Sequence, residues 1–323
     1  MKLNRKMTAC LALVTITIAS LITSDAIAVD KGWTVSFAEA KAQAAKEGKS
    51  ILIDFTGSDW CGPCIALHKS VFMSEHFKAE APKHFILLSL DRPNDKSKQS
   101  LEEQAQFRKL SAIFNINSFP TIFLADEKGR PYHRDVTGGG SKDPMKYLAS
   151  LTQNTASLAA RNEILAKADQ AEGVERAKLL NQAITNLSKN NIETDVVINT
   201  YADTVKDIIS LDVDGKAGLK AKYESALQVG EIKTALTEIQ GGLRNGTPDE
   251  AIAKIDKLLA EKKPTGEALQ EVLYLKSYIN FRSGNKESAK KLLEEAMAAA
   301  PDTKKASQID QVLKQNFGAG SKK

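Results

Sequence analysis

The sequence predicts an α/β fold, a central mixed sheet flanked by helices, followed by an all-α region. Two observations lead to this prediction. Residues 32–151 alternate short apolar runs with helical patterns, which is typical of helices packed on a sheet. Beyond about residue 155 the strand patterns stop, and segments rich in Ala, Leu, Lys and Glu keep an apolar period of about 3.6 residues. The second half is therefore expected to be helical throughout.

The elements of the first half follow from local apolar patterns. Apolar runs bounded by polar residues predict strands, and apolar residues three or four positions apart predict helices. The Lys128-Gly129 pair between two short runs predicts a hairpin turn. In chain order we expect a helix over 37–47, a strand over 51–55, a helix over 61–73, a strand over 85–91, a helix over 101–114, hairpin strands over 121–125 and 132–136, and a helix over 143–151.

Gly, Pro and Asn residues divide the second half into helices. The expected helices are 161–170, 174–188, 195–210, 219–241, 248–262, 267–283, 286–300 and 304–317. Three residue types repeat at a spacing of about 38 residues, which suits helix-pair repeats. The matching positions are Gly246 and Gly284, Ala251 and Ala289, and Pro264 and Pro301. Residues 268–301 resemble a tetratricopeptide repeat, and a plain helical bundle fits equally well. Either arrangement would offer a surface for a protein partner or for self-association.

The first residues predict export. Lys2, Arg5 and Lys6 precede an apolar stretch over 9–22, and an Ala-x-Ala site follows, so a signal peptide cleaved after Ala28 is expected. This stretch is short for a membrane span, and no later segment is apolar for about 18 residues, so no transmembrane anchor is expected in the mature form. We therefore expect a periplasmic or otherwise exported protein. Its parts would be a signal peptide over 1–28, an α/β domain over 29–153, a helical domain over 154–318 and a disordered tail over 319–323.

Charge and cysteine content narrow the function. The formal charge of +5 falls to about +3 without the signal peptide, and acidic and basic residues are interspersed, which argues against a nucleic-acid role. Of the three cysteines, Cys10 leaves with the signal peptide. Only Cys61 and Cys64 remain, so this pair either exchanges with outside thiols or stays closed.

Cys61-Gly62-Pro63-Cys64 lies between a predicted strand and a predicted helix, so Cys61 is expected at a helix N-terminus. Unpaired N–H groups and the helix dipole stabilise a thiolate there, which lowers the cysteine pKa. A structural disulfide is less favoured because a two-residue loop gains little stability. A zinc site needs about four ligands, whereas the chain offers this pair and scattered histidines. Ile65 in place of a histidine excludes covalent haem attachment. No metal and no cofactor beyond a redox-active disulfide is expected.

Several motifs in this order resemble thioredoxin over residues 32–151. They are 51–55, the Trp60-to-Cys64 motif, the strand ending at Asp91, Phe119-Pro120-Thr121 and 136–139. Residues 55–61 also resemble an exported bacterial subgroup of thioredoxin-like proteins. In that subgroup a Trp-containing segment and a helix come before the first central strand, as residues 33–47 do here.

The resemblance implies a thioredoxin fold and a role for each motif residue. Cys61 would be the attacking thiol and Cys64 the resolving one, and Pro120 would be a cis-proline facing the pair. A groove for client peptides would be lined by Trp60, Gly62, Pro63, Phe119, Pro120 and Gly138. Phe119 is bulkier than the usual aliphatic residue at its position and would narrow the choice of client.

Asp54 departs from the thioredoxin pattern. It lies one residue farther from the first cysteine than the buried aspartate of thioredoxin does, because 56–59 contains an insertion. Leu87 replaces the lysine that pairs with that aspartate. A carboxyl in an apolar setting has a raised pKa and can shuttle a proton to Cys64. Equally, Asp54 could hydrogen-bond the local backbone.

The leading hypothesis is an exported thiol–disulfide oxidoreductase that reduces disulfides of client proteins and is recharged by an upstream thiol donor. The thioredoxin-like Gly62-Pro63 dipeptide favours a reductant, although the direction of electron flow depends on the reduction potential of the cysteine pair relative to its partners. One alternative is a dithiol oxidase or isomerase. Another is a scaffold whose helical domain binds partners and whose α/β domain is a docking module.

Overall fold

The computed structural model describes residues 32–135, 142–243 and 246–318. The apolar runs of the first half form a five-stranded mixed sheet in the order β1-β3-β2-β4-β5. The strands are β1 Trp33–Thr34, β2 Ser50–Thr56, β3 Phe85–Asp91, β4 Thr121–Ala125 and β5 Pro131–Asp135. β1, β3 and β2 run parallel, whereas β4 and β5 are antiparallel to their neighbours. The central strand β2 is apolar on both faces because helices cover both sides of the sheet.

The helices of this half begin at polar caps. They are α1 Phe37–Glu47, α2 Gly62–Leu67, α3 Glu75–His84, α4 Leu101–Ile113 and α5 Pro144–Asn154. A π-helical turn, His68–Phe72, continues α2, and a short 3₁₀ helix, Lys96–Lys98, precedes α4. Ser100 and Glu103 form a reciprocal capping box at the start of α4. The sequence patterns did not predict α3 or the two-residue strand β1.

The second half is helical, as predicted. Its helices are α6 Ala156–Asp169, α7 Gly173–Thr185, α8 Thr194–Thr200, α9 Ala202–Leu211, α10 Leu219–Gly242, α11 Pro248–Lys262, α12 Gly266–Arg282, α13 Lys286–Ala299 and α14 Lys304–Phe317. The single helix predicted over 195–210 is wrong: the chain leaves helical geometry at Tyr201, with φ −109° and ψ 30°. Tyr201 is buried there, and its hydroxyl donates to the carbonyl of Pro131 in β5.

The sheet and the first helices of the second half share one apolar core. This core extends from Ala40 through the strands to Tyr223, whereas α10–α14 contribute two further apolar clusters. A buried polar network strengthens the junction. Arg161 of α6 donates to the fully buried carboxylate of Asp126 at 2.8 Å and to the hydroxyl of Tyr201 at 2.8 Å. The helices from α6 to α9 therefore pack as a direct extension of the α/β half.

Candidate active site

Cys61 and Cys64 form a disulfide at the start of α2, with their Cα atoms 5.2 Å apart. Cys61 is the N-cap of this helix, and its Sγ accepts the backbone N–H of Cys64 at 3.3 Å. Both residues are nearly buried, at 5% and 3% exposed. In the reduced state the same N–H group and the positive end of the helix dipole would favour the thiolate of Cys61 over its thiol. The geometry is therefore that of a pair that opens and closes with little movement of the backbone.

The segment before β4 contacts the motif at Trp60. The Phe119–Pro120 peptide bond is cis, as the resemblance implies. The ring of Phe119 meets the indole of Trp60 edge-on, with centroids 5.5 Å apart, and stacks on Phe107 of α4 at 6.2 Å. Trp60 remains 40% exposed. The structure thus brings the Trp60 side of the motif and the Phe119-Pro120 segment together.

Gly62 and Pro63 occupy the exposed first turn of α2, beside the disulfide. Gly138, the remaining residue expected in the groove, lies outside the described residues, as do 136–141 as a whole.

Asp54 is buried in the middle of β2, where it pairs with Ser89 on β3 and Ile122 on β4. Its Oδ1 accepts no hydrogen bond from any part of the chain that the structure describes. Burial and, to a smaller extent, the nearby charge of Asp91 together raise the pKa of Asp54 to about 8. Leu87 pairs with Leu52, which lies two residues before Asp54 on the same face of the sheet. An apolar side chain therefore lies where the thioredoxin pattern has a lysine to pair with the aspartate. The carboxyl therefore holds its proton up to neutral pH and above.

Sequence reasoning did not identify Ser58, Asp59 and Asp91 as site residues. Ser58 and Asp59 precede the motif, and they hydrogen-bond to a loop more than 30 residues later in the chain. The one signal in the sequence that could have pointed to these residues was the insertion over 56–59, but the insertion alone does not show what the added residue does.

The described ranges contain no cluster of three or more His, Cys, Asp or Glu side chains that could hold a metal ion. Among the same residues, no helix combines the length and apolar character needed to cross a membrane.

Comparisons with known proteins agree with this geometry. A family model described as a thioredoxin-like domain matches residues 37–153. The chain is 31% identical over 118 residues to "Disulfide bond reductase DsbH" of Chlamydia pneumoniae, an alignment that covers 36% of this chain and 70% of that protein. It is 26% identical over 102 residues to "Thioredoxin-related protein DsbJ" of the same organism, covering 32% of this chain and 29% of that protein.

Two solved structures are also similar. One is described as "DsbH Oxidoreductase", with 26% identity and a TM-score of 0.34, and covers 42% of this chain and 90% of its own. The other is a disulphide isomerase from Xylella fastidiosa Temecula1, with 23% identity and a TM-score of 0.26, and covers 36% of this chain and 87% of its own.

The site and fold define a protein that exchanges thiols and disulfides through a vicinal cysteine pair. The chain belongs to the thioredoxin-like family, and it is a thiol–disulfide oxidoreductase. The predicted fold class and family are confirmed. The family match ends at residue 153 and therefore does not cover α6–α14. The tetratricopeptide-like repeat over 268–301 stays a prediction.

Proposed function

We propose that the protein is an exported reductase of disulfides in client proteins, acting through Cys61 and Cys64. The Cys61 thiolate attacks one sulfur of a client disulfide and forms a mixed disulfide, and the other client sulfur leaves as a thiolate. The Cys64 thiolate then attacks Cys61 Sγ, which closes the internal disulfide and releases the second client sulfur. Two electrons pass to the client, and an upstream thiol donor restores the dithiol.

The single observation that carries this proposal is the Cys61–Cys64 pair at a helix N-terminus, with the Cys64 N–H directed at the Cys61 sulfur. This placement favours Cys61 as the nucleophile. The name of the curated relative "Disulfide bond reductase DsbH" supports the reducing direction, and so does the Gly62-Pro63 dipeptide. The signal-peptide pattern over 1–28 supports export.

We assign Asp54 the role of proton shuttle for Cys64: its carboxyl, protonated at neutral pH in the oxidised protein, gives its proton to the Cys64 thiolate that forms when the upstream donor opens the disulfide. Proton transfer is most effective when the pKa of the group lies near the working pH, and the pKa of Asp54 is raised to about 8. Its Oδ1 accepts no hydrogen bond from the described residues, which supports this role over the alternative of a bond to local backbone.

Clients are proposed to bind along Trp60, Gly62, Pro63, Phe119 and Pro120, with Gly138 in the same groove. An extended client segment can pair with the backbone at Phe119 by strand addition. The half-exposed indole of Trp60 and the ring of Phe119 supply apolar surface for residues next to the client disulfide.

The test is reduction of insulin by the dithiol protein, together with the equilibrium of the pair against glutathione. The proposal expects turnover that disappears in Cys61→Ser, and a reducing potential. A strongly oxidising potential would instead support the dithiol oxidase or isomerase alternative, which uses the same residues in the opposite direction. Retained partner binding without any exchange activity would support the scaffold alternative.

A further inference from the structure

The segment over 57–60, called here the motif loop, connects β2 to the disulfide and contains the inserted residue. It turns back on itself, since the N–H groups of Trp60 and Cys61 both donate to the carbonyl of Gly57, at 3.4 Å and 2.9 Å. This turn leaves the side chains of Ser58 and Asp59 directed toward the loop that follows β3.

Two carboxylates join the motif loop to the segment over 91–98. Asp91 accepts the N–H of Ser58 at 2.9 Å and its hydroxyl at 2.6 Å. In the opposite direction, Asp59 accepts the N–H groups of Asn94 and Asp95, at 2.8 Å and 3.1 Å. Lys98 Nζ lies 3.4 Å from the same carboxylate. We call this reciprocal set of bonds the loop clamp.

The Asp59 carboxylate is suited to this task at neutral pH. The hydrogen bond from the N–H of Asn94, followed by that from Asp95, lowers the pKa of Asp59 below its ordinary value. The group is therefore ionised and accepts all of these bonds under the conditions in which thiol exchange takes place.

The clamped loops fix the indole of Trp60 on three sides. Its Nε1–H donates to the carbonyl of Arg92 at 2.6 Å. Its ring lies on Gly57 so closely that a Cβ at that position would come within 2.5 Å of Trp60 Cε2. The third side meets Phe119 edge-on. The indole nevertheless stays 40% exposed, on the residue directly before Cys61.

We propose that the loop clamp holds Trp60 as a rigid wall of the client groove, with Asp59 and Asp91 as positioning residues that favour disulfides in polypeptides over small disulfides. Neither carboxylate is bonded to the cysteines; both act through the indole. A peptide that flanks a client disulfide contacts this wall, whereas a small disulfide reaches Cys61 without it. The preference for polypeptide disulfides rests on the proposed function, whereas the immobilisation of the Trp60 indole does not.

The test compares Asp59→Ala with Glu102→Ala, which removes an equal charge from the exposed first turn of α4, outside the clamp. Both are made in a Trp33→Phe background, so that Trp60 is the only tryptophan left. Loss of the clamp is expected to raise acrylamide quenching of Trp60 toward that of the unfolded chain. It is also expected to lower kcat/KM for insulin about tenfold or more, mainly through KM, because a displaced positioning group can cost up to about 100-fold. The rate with hydroxyethyl disulfide should remain close to that of the parent.

A second pair of variants separates positioning from folding. Asp59→Asn keeps one oxygen acceptor and should recover part of the insulin rate, whereas Gly57→Ala should displace the indole while both carboxylates remain. Thermal unfolding of each variant shows that it is folded. Quenching and insulin kinetics of Asp59→Ala equal to those of Glu102→Ala would overturn the proposal. If the parent does not reduce insulin, the proposed function fails, and the quenching result still decides whether the clamp immobilises Trp60.

Discussion

Replacing Asp54 by Asn should make the protein more stable at high pH, and the structure gives the size of the effect. The Asp54 carboxyl has an ordinary pKa of 3.8 and a pKa of about 8 in the folded chain. The folded state therefore binds a proton that the unfolded state has released. The stabilisation from the protonated form is fully present below the ordinary pKa and is lost as the pH rises through about 8.

Between these two pKa values each pH unit changes the folding equilibrium about tenfold. From pH 5 to pH 8 this group alone should therefore cost the native state about 4 kcal/mol. The Asn variant, which keeps the shape but has no charge to bury, should lack this dependence. Its advantage should be small at pH 5 and largest above pH 8.

Urea unfolding of the oxidised protein at pH 5, 7 and 9, followed by tryptophan fluorescence, measures this difference. Trp33 and Trp60 both lie in the α/β half, so the signal reports on the half that contains Asp54. The comparison between wild type and Asp54→Asn cancels the titration of all other groups. Parallel stability curves for the two proteins between pH 5 and pH 9 would refute a buried carboxyl with a raised pKa.

Three further predictions concern the exchange steps and the junction between the two halves. Cys64→Ser should accumulate covalent adducts with client proteins, since serine cannot resolve a mixed disulfide. Mass spectrometry after acid quenching would identify these adducts, and their complete absence would contradict attack by Cys61 on client disulfides. Asp54→Asn should slow the opening of the Cys61–Cys64 disulfide by a dithiol donor at pH 7, because Asn cannot give a proton to the departing Cys64 thiolate, and the difference from wild type should disappear above about pH 8; single-turnover kinetics from pH 6 to 10 measure this, and an unchanged rate and pH profile would exclude Asp54 as the proton shuttle. Arg161→Ala should destabilise the protein by about 3 kcal/mol, because it leaves the buried carboxylate of Asp126 with fewer partners; the exposed Lys167→Ala control should change stability by less than about 0.5 kcal/mol in the same urea titration.

The sequence predicted those elements whose ends carry local signals. The bounds of α11 and α14 were predicted correctly because helix-breaking residues lie at or just before their starts, Gly246 and Pro248 at α11 and Pro301 at α14; the structure adds that Thr247 and Thr303 cap the two helices. Strands β2 and β3 were evident as short, mostly apolar runs, since both faces of the sheet are covered.

Elements defined by tertiary contacts were missed. α3 buries only Phe77 and Ala81 and contains Pro82, so its apolar pattern is weak. The break at Tyr201 has no glycine or proline to mark it, and its hydrogen bonds join residues 40 or 70 positions apart in the chain. No window of local sequence contains such a signal.

The same distinction applies to the site. The cysteine pair and the cis-proline could be predicted because each lies within a short contiguous motif. The loop clamp could not, because Asp59 and its partners Asn94 and Asp95 are 35 and 36 positions apart. The insertion over 56–59 was visible as a departure from the thioredoxin pattern, yet only the folded structure shows that Asp59, within this stretch, accepts hydrogen bonds from the segment after β3.

The helical half also covers one edge of the sheet. β5 is an edge strand, and an uncovered edge presents unpaired backbone groups to other chains. Here the hydroxyl of Tyr201 donates to the carbonyl of Pro131, and the side chain of Asn191 donates to that of Arg134. Glu193 pairs with the Arg134 side chain at 2.7 Å. These contacts cover part of the β5 edge, so the segment from α6 to α9 shields this side of the sheet from pairing with other chains.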